Sequence, residues 1–291
     1  MQILDGKQVS QDIKTKIANY VTNNYVAKGE KAPTLACVLV GDHPASKIYV
    51  ANKEKACAFC GINSKVIKLP ENSTNKQVEQ VIKELNADKN VSAILLQLPL
   101  PKQLDEKNLV NLISPAKDAD GLTELNLGKL MSSNHKIAPC TATGIIDILD
   151  YYKLPIQGKR AVVVGRSLLV GKSVANLLEQ RNATVTICHS KTVDLAKITK
   201  QADILVVAIG KPNYITANMV KQDAIVVDVG INRLSNGSMV GDVEFPSVKN
   251  KASYITPVPG GVGPMTIAEL MKNTILLHNE QQKQNIESNE K

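Results

Sequence analysis

The sequence predicts an α/β protein of two αβ domains with a cleft between them, the second of them Rossmann-like. Three observations predict it. Short apolar runs bounded by Gly and Pro alternate with segments whose apolar residues recur at helical spacing, the mark of parallel strands covered by helices. The 291 residues exceed one module of ordinary size and suit about two. A glycine-bearing turn, Gly165 to Gly171, follows one apolar run and opens a helix, as in nucleotide-binding units.

The elements follow in order. Val9, Ile13, Ile17, Tyr20 and Val21 share one helical face. Thr34 to Val40 is a short apolar strand ending at Gly41. Ser46 to Phe59 reads as a helix and Lys65 to Leu69 as a strand. Val78, Val81, Ile82 and Leu85 mark an amphipathic helix behind the capping candidates Ser73 and Thr74. Val91 to Leu98 is a buried strand closed by Pro99 and Pro101. After the polar loop 114–121, Gly144 to Tyr152 is helical. Strands are predicted at Arg160–Val164, Ala183–Cys188, Ile204–Ile209 and Ala224–Val229, with a helix from Gly171 to Arg181. The run Pro257 to Pro264 is irregular. The last helix then begins with Thr266 as its cap, and the polar tail from Asn279 frays.

Composition excludes several classes. Hydrophobic residues make up 43% and charged residues 21%, which is globular and not disordered. No apolar run reaches the roughly 18–20 residues of a membrane helix. Aromatics are 3% and Trp is absent, which argues against a stacking surface for single-stranded nucleic acid. The net charge of +8 is mostly Lys interspersed with acids. It reads as a solvated surface with mild attraction for anionic small molecules. The amino terminus lacks a basic segment followed by an apolar one, so no secretory signal is expected. Five scattered cysteines then read as reduced thiols in a cytosol. Cys57 and Cys60 form a C-x-x-C without a second ligand pair, so buried thiols are favoured over zinc.

The turn Gly165-Arg166-Ser167 through Gly171 resembles a dinucleotide turn. Gly165 permits a tight bend, Ser167 is small, and Gly171 lets helix and strand approach. Ser167 replaces the middle Gly of the usual fingerprint, and the spacing is one residue too long for a P-loop. Glycines there can also be purely structural. The following strand ends Cys188-His189-Ser190-Lys191, without the carboxylate that holds the ribose diol of NAD. With Arg166 nearby, this end suits a 2′-phosphate, so NADP is expected over NAD.

Tyr49 and Lys53 are spaced i, i+4 and share a helix face. On spacing alone that is an ordinary surface pair. Gln97 ends a buried strand, where ligands of α/β sheets bind; it is a capped strand end or a site residue. Asp120 precedes Gly121 and reads as a turn former or a site acid.

These residues lie within Ser46-Lys47-Ile48-Tyr49-Val50 and Lys53, Gln97-Leu98-Pro99-Leu100-Pro101, and Lys117-Asp118-Ala119-Asp120-Gly121. With Pro139-Cys140-Thr141, the turn at Gly165, Cys188-His189-Ser190, and the run from Pro257 through Pro259-Gly260-Gly261-Val262-Gly263-Pro264 to Thr266, they occur in a single order. That order closely resembles the bifunctional methylenetetrahydrofolate dehydrogenase/methenyltetrahydrofolate cyclohydrolase family in its short bacterial form, over nearly the whole chain.

The resemblance implies two reactions of one-carbon metabolism. 5,10-Methylenetetrahydrofolate is oxidised with NADP, and the methenyl product is hydrolysed to 10-formyltetrahydrofolate, a formyl donor for purine synthesis. It implies that Lys53 is the principal catalytic residue, that Gln97 orients it, that Tyr49 packs on the folate, and that Asp120 reads the pterin's amino-pyrimidine edge. It implies that Val258, Pro259, Gly260 and Gly261 line the folate, and that Gly165, Arg166, Ser167, Ser190 and Ile231 bind NADP. A catalytic domain over 1–137, completed by a closing helix over 265–291, a nucleotide domain over 138–264, and a cytoplasmic homodimer are implied as well. The chain departs from the family pattern at Leu122, Thr123, Ala142, Leu168 and Ser173. A generic dehydrogenase of the shikimate or amino-acid type would not call for Tyr49, Lys53, Gln97 and Asp120 together. A folate-binding protein with a vestigial nucleotide domain would not need the intact turn at Gly165.

Overall fold

The computed structural model describes residues 1–289. In chain order it comprises β1 (Gln2–Ile3), α1 (Gly6–Asn24), β2 (Thr34–Val40), α2 (Pro44–Cys60), β3 (Asn63–Leu69), α3 (Asn75–Ala87), β4 (Ala93–Leu96), α4 (Glu106–Asn111), α5 (Glu124–Met131) and α6 (Cys140–Tyr151). There follow β5 (Arg160–Val164), α7 (Ser173–Gln180), β6 (Thr184–Cys188), α8 (Leu195–Thr199), β7 (Ile204–Val207), β8 (Ile225–Asp228), β9 (Asn232–Arg233), β10 (Met239–Val240), α9 (Phe245–Val248), β11 (Tyr254–Ile255) and α10 (Val262–Asn289). Two compact units emerge. One joins residues 1–11 to 139–269; the other joins 12–138 to 270–291.

The second of these units is built on a parallel sheet in the order β3-β2-β4. Alternate residues of β2 and β4 (Ala36, Val38, Val40, Ile94, Leu96) point to one face and pack against Val78, Ile82 and Leu85 of α3. Thr74 starts α3 with a full capping box. Its hydroxyl accepts from the Gln77 backbone N–H, and the Gln77 side chain accepts from the Thr74 N–H, an arrangement that contributes about 1 kcal/mol. β4 covers four residues of the predicted run, paired with Leu35–Val38 of β2.

The other unit carries a six-stranded sheet, β1-β11-β8-β7-β5-β6, parallel throughout. Its central strands β5, after Arg160, and β7 and β8 are buried along their length, as expected where helices cover both sides. β6 is an edge strand, and its Ile187 is 41% exposed.

Three expectations change. Thr266 is not a cap: α10 already begins at Val262, and the Thr266 hydroxyl donates to the Gly263 carbonyl at 2.8 Å from inside the first turns. Pro264 fits there because a first turn needs no proline N–H. The tail is also helical to Asn289; residues 290–291 lie outside the described chain. Two of its polar side chains have partners. Asn279 donates to the Tyr20 hydroxyl at 3.0 Å and accepts from that of Tyr25, and Gln281 donates to the carbonyls of Ser92 and Ala116 at 2.7 and 2.8 Å. Finally, the helix predicted from Gly171 opens earlier, with a wide π turn over Leu168–Lys172.

His278 of α10 is buried against Tyr25, with its Nδ1 2.9 Å from the Ser92 hydroxyl. Burial pushes its pKa down, opposed in part by Glu30. The unfolded chain therefore takes up this proton first. The stabilisation is complete above about pH 6.5 and fades as pH falls below it, toward the lowered folded value. On acidification from about pH 7 to about pH 5, the thermal midpoint of the wild type is expected to fall further than that of His278→Gln; equal slopes would remove His278 from the acid response.

Candidate active site

In the unit with the three-stranded sheet, Pro44 sits in the first turn of α2. The helix carries Tyr49, which is exposed, and Lys53 one turn on, which is half-buried. Lys53 Nζ donates to Gln97 Oε1 at 2.8 Å. Gln97 is buried directly after β4, and its backbone N–H continues the ladder to Val38 O at 2.9 Å. Its Nε2 donates to the Leu98 carbonyl at 2.6 Å. The amide is therefore held at both ends, with its oxygen facing the amine.

Asp120 reaches the same sheet end by register. The segment 117–119 runs parallel to β4: Ile94 N–H donates to Lys117 O at 2.6 Å and Ala119 N–H to Ile94 O at 3.2 Å. Ile94 pairs with Asp118, two residues before Asp120. Asn273 of α10 donates to the Ala119 carbonyl at 3.0 Å. The turn-forming acid is Asp118, which sequence reasoning passed over. Buried at 2% exposure, it accepts from the N–H groups of Gly121, Leu122 and Thr123 and from the Asn126 side chain. It fixes the loop that carries Asp120. Thr123, one of the departing positions, caps α5. Cys57 and Cys60 are both fully buried, and burial pushes their thiols up to about 12 and about 11, values that keep them protonated and inert.

In the unit with the six-stranded sheet, Gly165 follows β5 at φ +131°. A Cβ there would lie 2.3 Å from the Ala208 carbonyl oxygen, and one on Gly171 would lie 2.3 Å from that of Gly165. Both glycines are therefore sterically required. Ser167 Oγ accepts from the N–H groups of Val170 and Gly171 at 3.3 and 3.4 Å, capping the wide turn. Ser173, another departing position, donates to Leu168 O at 2.5 Å.

A pocket of about 270 Å³ at the ends of β5, β6 and β7 brings Gly165, Arg166 and Ser190 together, as expected, along with His189, Lys211 and Tyr214. Lys211 and Tyr214 carried no periodic or motif signal. Lys191 N–H donates to His189 Nδ1 at 3.2 Å. A cradle that a Cβ would fill, lined by cations and a hydroxyl, suits a phosphorylated dinucleotide.

Ile231 is 48% exposed in the loop after β8. Two buried acids hold that loop and its neighbour. Asp228 accepts from the N–H groups of Gly230, Asp242 and Val243. Asp242 accepts from those of Ile209, Gly210 and Lys211 and from Asn232. Burial pushes the Asp228 carboxyl up to about 6, against the pull of its backbone donors.

In the Val258 to Gly261 loop, Val258 is half-buried, Pro259 exposed, and both glycines buried. This loop approaches the chain's own first helix closely. Lys7 N–H donates to Gly260 O at 3.1 Å, and a Cβ on Gly6 would lie 1.9 Å from Gly261 O.

Residues 4–120 match the description tetrahydrofolate dehydrogenase/cyclohydrolase, catalytic domain, and residues 139–282 match tetrahydrofolate dehydrogenase/cyclohydrolase, NAD(P)-binding domain. The chain is 53% identical over 275 residues to the bifunctional protein FolD of Campylobacter hominis, covering 94% of this chain and 96% of that one. Among solved structures, it resembles the FolD methylenetetrahydrofolate dehydrogenase/cyclohydrolase of Campylobacter jejuni at TM-score 0.94 and 45% identity, covering 96% and 99% of the two chains. The Trypanosoma brucei FolD complexed with NADP cofactor and inhibitor aligns at TM-score 0.91 and 37% identity, covering 96% and 97%. The chain thus belongs to the tetrahydrofolate dehydrogenase/cyclohydrolase family.

Proposed function

We propose that the protein oxidises 5,10-methylenetetrahydrofolate to 5,10-methenyltetrahydrofolate with NADP, and then hydrolyses that product to 10-formyltetrahydrofolate. The observation that carries this reading is the 2.8 Å hydrogen bond from Lys53 to the doubly held Gln97 at the carboxyl end of a parallel sheet. A single amine in a fixed position suits a cation that must be attacked by water, because the amine can move protons without bringing a carboxylate nucleophile.

Bound NADP supplies the acceptor for the hydride that leaves the one-carbon bridge. Gly165, Arg166, Ser167, Ser190 and Ile231 bind it. Asp120 accepts hydrogen bonds from the pterin edge, Tyr49 packs on the folate, and the Val258, Pro259, Gly260 and Gly261 backbone lines it. In the second step, water adds to the methenyl carbon and loses a proton. The bond from that carbon to N5 then breaks as the carbinol oxygen gives up its remaining proton and becomes the formyl C=O, and N5 gains a proton. Lys53 moves the proton and Gln97 keeps its nitrogen aimed. The catalytic domain is then 1–137 with the closing helix, and the nucleotide domain 138–264.

The test is to mix purified protein with methylenetetrahydrofolate and either cofactor, following reduced nicotinamide and the methenyl chromophore together. NADP-dependent appearance of the chromophore and its subsequent decay are expected. Turnover with NAD alone would overturn the cofactor assignment, and a chromophore that persists would overturn the second activity.

The enzyme works in the cytoplasm, a reading supported by five free, buried cysteines; no described helix is long and apolar enough to cross a membrane. It acts as a homodimer through the nucleotide domain. The support is β6, an edge strand with unpaired backbone groups and an exposed Ile187, the kind of edge that pairs with another chain. Ile187→Lys is expected to halve the mass measured by light scattering; an unchanged mass would place the interface elsewhere.

A further inference from the structure

We propose that Lys211 is a second cation of the NADP 2′-phosphate subsite, and that it sets the preference for NADP over NAD together with Arg166. This rests on the cofactor reading above and deepens it.

Lys211 follows β7, the strand beside β5 in the sheet, and lines the same small pocket as Arg166, His189 and Ser190. No carboxylate is among the described residues that line this pocket, so its two permanent charges are both positive. A ribose diol calls for an acceptor, whereas a phosphate dianion calls for donors and cations. The pocket's side chains suit the second: a guanidinium, an ammonium, an imidazole and the hydroxyls of Ser190 and Tyr214, with no carboxylate.

The position of Lys211 is fixed from two directions. Its backbone N–H donates to Asp242 Oδ1 at 2.8 Å, as part of three consecutive N–H groups gathered by that carboxylate. Its Nζ lies 5.2 Å from the centroid of the Tyr214 ring. The ring face holds the ammonium without neutralising it, so the charge stays available to an anion. The buried Asp242 faces the loop backbone, and a side-chain substitution at 211 leaves that hydrogen bond in place.

Binding of NADP, NAD, adenosine 2′,5′-bisphosphate and 5′-AMP would be measured by calorimetry for the wild type, Lys211→Gln, Lys211→Arg and Arg166→Gln. Lys211→Gln is expected to weaken NADP and the bisphosphate about tenfold or more, the loss of one charge-assisted contact, and to leave NAD and 5′-AMP unchanged. Lys211→Arg should restore the preference, and the affinities of Lys211→Gln for NADP should depend less on salt.

Equal losses for NADP and NAD would mean that Lys211 acts on the adenine or on loop structure, and would overturn the proposal. So would an unchanged NADP-to-NAD ratio in Lys211→Gln beside a collapsed ratio in Arg166→Gln, a result that leaves the cofactor reading standing. A wild type that binds NAD as well as NADP would overturn both.

Discussion

Replacement of Lys53 by Met is expected to slow hydrolysis of methenyltetrahydrofolate by about a thousandfold, within the range for removing a positioned proton-transfer group. Met preserves the aliphatic stem and is a good helix former, so α2 and its packing should survive. NADP affinity should be unchanged, because the residues proposed to bind it lie in the other unit. The dehydrogenase rate should fall less, since hydride transfer needs no proton from the amine.

Two companions sharpen the result. Lys53→Arg keeps the charge but cannot give up a proton near neutral pH. It should fail to rescue, and a rescue would show that only charge matters. Gln97→Ala removes the acceptor 2.8 Å from Nζ. As a positioning change, it should reduce hydrolysis less than Lys53→Met does and move its pH profile. Wild-type hydrolysis by Lys53→Met, measured as decay of the methenyl chromophore, would refute the assigned role outright.

Asp120→Ala should raise the folate KM on the order of a hundredfold and leave NADP binding alone. A carboxylate that accepts two N–H bonds from an amino-pyrimidine loses about 3 kcal/mol when deleted, and each 1.4 kcal/mol is tenfold. The substitution is informative because Asp118, not Asp120, gathers the three backbone N–H groups of the turn. The loop should therefore keep its shape, and the thermal midpoint should stay within about 2 °C, as for a change outside the core. Parallel losses for folate and NADP would point to misfolding instead and would sink the pterin contact. Asp118→Ala supplies the contrast: three N–H donors lose a buried acceptor, and stability itself should drop.

The sequence reveals much of this architecture because local and global signals agree. Thr34 to Val40 is apolar along its length and is a strand buried between neighbours. Thr74 and Gln77 stand at capping-box spacing and form one. Other features are set by partners far away in the chain. β1 and β11 are two residues each, too short to show a period, and exist only because each finds a strand to pair with.

The start of α10 looks irregular by composition, since Pro264 and three glycines crowd it, yet the first turn of a helix tolerates both. The polar tail gives no apolar stripe, because Asn279 and Gln281 dock through hydrogen bonds and not through burial of hydrocarbon. At the site, Lys53, Gln97 and Asp120 are legible as a resemblance, and their shared location follows from β4 and its parallel neighbour at 117–119. Asp118 was hidden by being one of two acids two residues apart, and nothing short of the loop's backbone tells them apart. Lys211 sits in a loop held by Asp242, thirty-one residues later.

The pairing of Gln2–Ile3 with Tyr254–Ile255 has a consequence for biosynthesis. Gln2–Ile3 must wait until a strand far later in the chain has been made before its place in the sheet exists. A nascent chain released before Tyr254 would leave Gln2–Ile3 with no strand to join, and an excised fragment beginning at Pro139 would leave Tyr254–Ile255 as a bare border ready to recruit strangers.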